Sequence, residues 1–96
     1  MGHVFHPGHE ELHGVTVLVK GNAGQVWVGR YHERTARGVV MRDVAAFDAE
    51  GGESVEAWLR KQLKFGVKIT HRTLVVPSSD AASIDRLVDV DPSQVR

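Results

Sequence analysis

Apolar and polar residues alternate in short runs along most of this chain, and one segment keeps a helical period instead. Val15, Val17 and Val19 share one face of a β-branched stretch, 15–20, that reads as a mostly buried strand. Gly21, Asn22 and Gly24 supply a turn, because Gly and Asn tolerate positive φ. Residues 25–31 read as a second strand closing a hairpin, with Gly29 marking a bulge or bend. A polar stretch, 32–37, separates it from a third strand over 39–47. After a loop at 48–53, Ser54 is placed to cap a helix of about 55–64. Val55, Trp58, Leu59 and Leu63 form its apolar face, and Gly66 stands where a left-handed cap belongs. Residues 73–76 read as a strand stopped by Pro77, which cannot donate to a ladder. A turn at 78–81, read as one turn of 3₁₀ helix, precedes a last strand over 82–87. From Val88 onward the signals weaken, and the tail is expected to fray.

The expected fold is therefore mainly all-β: a small five-stranded barrel over 14–87 with one α-helix between strands three and four. A histidine-rich arm, 1–13, precedes it and a tail, 88–96, follows.

The total of 96 residues is one domain's worth. Twelve Lys and Arg balance twelve Asp and Glu, which argues against a dedicated nucleic-acid binder and removes charge repulsion as a barrier to self-association. The zero hides two basic stretches. One holds Lys20, Arg30, Arg34, Arg37 and Arg42, and the other Arg60, Lys61, Lys64, Lys68 and Arg72. There is no cysteine, which excludes disulfides and thiolate chemistry and is compatible with a reducing cytoplasm, the expected location. No apolar run approaches the ~20 residues of a membrane span, so no membrane partner is expected. The first 14 residues lack the basic start and apolar core of a signal peptide, and His6 stands where a myristoylation motif needs Ser or Thr.

The closing strand, Pro77, turn and short strand are a familiar device of SH3-like barrels. Within that class the chain resembles the Sm-like family. Val15, Val17, Val19 and Lys20, the turn glycine Gly24, Val26, Val28 and Gly29, and the run Val39, Val40, Met41, Arg42 and Asp43 follow the order of that family's first motif. Leu74, Val75 and Val76, then Ala82, Ser83 and Ile84, resemble its second. The resemblance covers about 14–47 and 67–87. It implies an Sm-like fold and homo-oligomeric, ring-like assembly through strand edges. It does not carry RNA binding across, because Thr35 and Gly38 stand nearest the family's RNA-site Asp and Asn, and Arg72-Thr73 replaces its Arg-Gly pair. The family's N-terminal helix is not evident in 1–14, and the helix between strands three and four is an insertion.

Edge strands give self-assembly a physical basis as well, since a barrel that closes incompletely leaves N–H and C=O groups unpaired. A non-enzymatic binding or scaffold module that homo-oligomerises is the leading expectation. Two alternatives remain. His9, Glu10, Glu11, Leu12 and His13 match the H-E-x-x-H zinc motif, but Pro7-Gly8 before it and Gly14 after it leave too short a helix for a metalloprotease. His6, His9 and His13 are instead candidate ligands for zinc or another divalent transition metal, weighed against a solvated arm with no cofactor required. Arg60, Lys61, Lys64, Lys68 and Arg72, with Trp58 and Phe65 nearby, are candidate nucleic-acid contacts, although Trp58 reads better as core. An RNA partner is thus possible in principle and not favoured.

Overall fold

The computed structural model describes residues 12–95. Five antiparallel strands form one sheet: β1 (Thr16–Gly21), β2 (Val26–Thr35), β3 (Gly38–Ala46), β4 (His71–Pro77) and β5 (Ala81–Arg86). The helix α1 (Val55–Phe65) lies between β3 and β4, as the sequence predicts. The strand order is β4-β3-β2-β1-β5.

That order forces curvature. β4 and β5 stand at opposite ends of the sheet, about 19 Å apart if it were flat, at ~4.8 Å per spacing. Only residues 78–80 join them, and their turn is pulled tight by the Asp80 N–H donating to the Pro77 carbonyl at 2.8 Å. A chain link of that length reaches at most about 15 Å fully extended. The sheet therefore curls until its ends approach, giving a barrel-like form in which β4 and β5 do not pair. The link is a hydrogen-bonded turn and not the expected 3₁₀ helix.

Two irregularities set which side chains face inward. Val28 pairs with Ala45 but Arg30 with Arg42, so β3 carries an extra residue opposite Gly29. Asp43 takes the bulge, with φ of 52°, and returns Val44 to the same side as Met41. A Cβ on Gly29 would meet the Val44 Cγ2 at 2.9 Å, so only glycine lets β3 come this close. A compensating extra residue at His32 on β2 restores the pairing of Glu33, Arg34 and Thr35 with Val40, Val39 and Gly38. The polar stretch expected as a loop thus extends β2 to Thr35, and only residues 36–37 turn the chain. Gly38 begins β3 at φ 146°, where a Cβ would lie 2.1 Å from the Val76 carbonyl oxygen.

Two apolar clusters lie on opposite faces of β1. Inside the curl, Val17, Val19, Tyr31, Val39, Met41, Val44 and Val76 pack together. Outside it, Leu18, Val26 and Val28 are covered by Leu59 of α1 and by Leu87 and Val95 of the tail. The tail does not fray. It makes two 3₁₀ turns, Leu87–Asp89 and Pro92–Gln94, and buries Val95. Apolar surface left on the outer face of β1 and β2 holds it there.

The helix starts where expected, with the Ala57 N–H donating to the Ser54 hydroxyl at 3.1 Å. Its buried face is rotated from the expected one. Leu59 and Gln62 are buried, while Leu63 is 43% exposed. Gln62 is satisfied there, because its Oε1 accepts from the Lys68 N–H at 2.9 Å and fixes the chain leaving the helix. Gly66 has positive φ but extended ψ, 91° and 167°, so it redirects the chain without a left-handed cap.

Candidate functional site

Among the described residues the sheet has two open edges: each of β4 and β5 pairs on one side only, with β3 and β1 respectively. Among the described residues no backbone group bonds the outer side of either strand. The edges are similar in length, seven residues against six. β4 is mostly exposed, and its Val75, opposite Val40 in register, is 39% exposed. Such a strand can accept a neighbour's strand along its length. The turn between the edges is tied to the turn that follows β1, since the Asn22 N–H donates to the Asp80 carbonyl at 2.9 Å.

The five bases of the second basic stretch are dispersed and mostly engaged. Arg60 is bonded to Glu56 one turn earlier at 2.8 Å, and Lys61 reaches Glu53 at 2.6 Å. Arg72 lies 3.6 Å from Asp43 on the far side of β3. Lys64 lies over the Phe65 ring, 5.3 Å from its centroid. Lys61 and Lys68 line one cavity of about 380 Å³ with Trp58, Gln62, Phe65 and Thr70. Asp48 and Glu53 line the same cavity, so its lining is of mixed charge. Phe65 is 74% exposed, whereas Trp58 packs on Phe47 with ring centroids 5.4 Å apart. Trp58 is a packing residue, as its helical position predicts.

Of the candidate metal ligands, His6 and His9 lie outside the described residues. His13 lies within them and is exposed. Its Nδ1–H donates to the His32 carbonyl at 2.7 Å, since a carbonyl only accepts, and this leaves Nε2 as the outward nitrogen. The two imidazole rings stand 5.3 Å apart. Among the described residues no group of three or more His, Cys, Asp or Glu is gathered as a metal would need.

One arrangement is invisible in the linear sequence. Arg30 and Arg42, twelve residues apart, are direct cross-strand partners. Counting back from the turn at 36–37 in an unbroken ladder would set Arg30 against Asp43 instead. The extra residue at His32 brings the guanidinium-bearing residues face to face, and the bulge at Asp43 restores the register beyond them.

No family model matches this chain, and no curated protein matches it. Among the described residues, no helix is long and apolar enough to cross a membrane.

Proposed function

We propose that the chain is a non-enzymatic, Sm-like binding or scaffold module that assembles into a homo-oligomer, the open edge of β4 in one copy pairing with the open edge of β5 in the next. The observation that carries this is the strand order, which among the described residues leaves one curled sheet with two unpaired edges of similar length. A head-to-tail contact of this kind satisfies both edges at once, and it ends in a ring where the rotation closes. The zero net charge sets no long-range repulsion against assembly. The cytoplasm is the compartment proposed with it, in keeping with a chain free of cysteine.

Native mass spectrometry of the untagged protein at low salt tests the reading. A single closed stoichiometry of identical subunits is expected. Val75→Lys puts a charge on the exposed face of the β4 edge without touching the inner core, and it is expected to release monomers. A wild-type protein that stays monomeric at every concentration tried overturns the proposal.

A further inference from the structure

We infer that the cleft between the start of β1 and the β2–β3 ladder is a phosphate site, built to hold a compact phosphate dianion between Arg30 and Arg42 beneath the His13–His32 pair. The cleft has a volume of about 270 Å³ and is lined by His13, Gly14, Arg30, Tyr31, His32 and Arg42. Its size suits a phosphate group or a small phosphate monoester.

Three observations converge on it. First, like charges directly opposite each other on paired strands repel, and Arg30 faces Arg42 in register. An anion bridging the two turns that repulsion into attraction. Second, the guanidinium charge at the cleft is only partly paired among the described residues. Asp43 is already shared by Arg30, which hydrogen-bonds one oxygen, and Arg72 on the other, while the Glu33 carboxylate lies 4.0 Å from the His32 Nε2. Arg42 is exposed and has no acidic partner among the described residues. Third, the walls are fixed. The Gly14 N–H donates to the Tyr31 carbonyl at 2.8 Å, and the Tyr31 N–H donates to the Val15 carbonyl at 2.9 Å. His13 is oriented by its bond to the His32 carbonyl. Asp43 anchors Arg30, restricting its rotamers before any ligand arrives.

The chemistry selects phosphate over a simple halide or a single carboxylate. A guanidinium presents paired N–H donors that match two oxygens of one phosphate group, and two guanidiniums match a tetrahedral dianion with oxygens to spare. At the Asp43 bulge a non-glycine residue takes the uncommon φ of 52°, and its carboxylate meets Arg30 and Arg72.

The test uses the full chain, treated with chelator, in phosphate-free buffer. Inorganic phosphate and a 5′-mononucleotide are titrated separately and followed by amide chemical shifts. Saturable binding of at least one of them is expected, with shifts centred on His13, Gly14, Tyr31, His32 and Arg42. Binding of both places the determinant in the phosphate itself, and binding of the mononucleotide alone assigns the site to phosphate monoesters. Arg42→Gln is expected to weaken binding about tenfold or more, and Arg42→Lys to lie between that and the wild type. Lys64→Gln, on the distant helix, is expected to leave it unchanged. The proposal is overturned if neither ligand saturates, or if Arg42→Gln binds like wild type. Binding that appears only with added zinc, or only with an oligonucleotide lacking a terminal phosphate, overturns it as well.

Discussion

The inner and outer apolar clusters differ in how they are assembled. The inner one is made by neighbours. Val17 and Val19 sit on β1, Tyr31 on β2, Val39, Met41 and Val44 on β3, and Val76 on β4, each strand hydrogen-bonded to the next. The outer one is made by strangers. Leu18 and Val28 meet Leu59 from a helix some forty residues on, and Val95 from the end of the described chain. Local pairing delivers the inner side chains to their places, whereas the outer layer depends on two segments docking from a distance. We therefore expect the outer layer to open first and alone, and the inner cluster to be lost only with the whole fold.

The largest effect is expected from Met41→Ala. Met41 is fully buried at the centre of the inner cluster, and truncation there leaves a cavity among β-branched neighbours that cannot collapse into it. A loss of about 2–5 kcal/mol is expected by urea unfolding, with all probes moving together. Separate transitions for sheet and helix would show that the inner cluster does not hold the molecule as one unit.

Val95→Ala is expected to cost less, about 1–2 kcal/mol for two buried methyl groups, and to act locally. Amide exchange should quicken in the tail and in α1 while the β2–β3 ladder stays protected. Uniform acceleration across the ladder would erase the distinction between the layers.

The same contrast explains what could be read from the sequence. Strict alternation at Val15, Val17 and Val19, the turn at Gly24 and the cap at Ser54 each report on their own few residues, and each appears in the structure. The burial of Leu18 on the other face of β1 needs a cover that comes from α1 and the tail, and no local pattern announces it. The tail read as frayed because 88–95 has neither period nor alternation, only single apolar residues that the outer sheet face recruits. Leu63 was the natural fourth member of the helix face, yet Gln62 is buried in its stead because the chain after Phe65 needs an acceptor for the Lys68 N–H. The Arg30–Arg42 opposition was hidden for a related reason, since it exists only through the extra residue at His32, whose one-residue shift the bulge at Asp43 reverses. The candidate bases at 60–72 were legible as residues, but their engagement with Glu53, Glu56 and Asp43 was not.

Gln62→Leu sharpens the comparison at the level of one hydrogen bond. The side chain keeps its volume and loses the acceptor, so about 1 kcal/mol is expected from the outer layer. Faster exchange at the Lys68 amide, with no change in the inner strands, is the signature. A more stable protein would mean that burial at this position outweighs the bond.

The smallest effect is one of pH, and it is confined to the tail. Asp91 accepts from the Ser93 hydroxyl at 2.8 Å and from the Ser93 N–H at 3.0 Å, starting the 3₁₀ turn that positions Val95. The Ser93 hydroxyl first, then the backbone N–H, hold the Asp91 carboxyl below the usual aspartate value, outweighing a small opposing desolvation. A depressed folded-state value means that the ionised form is the one the fold favours. Its contribution is complete above the ordinary aspartate range and is lost as pH falls through the lowered value. Because the carboxylate is exposed, solvent screens the interaction and the loss is slight. Val95 methyl resonances should therefore shift toward solvent-like positions below that range, ahead of any change at Met41. Asp91→Asn still caps the turn but cannot titrate, so its Val95 signals should stay flat over the same interval. If the variant's signals move together with those of the wild type, then the Asp91–Ser93 contact does not control docking of the tail.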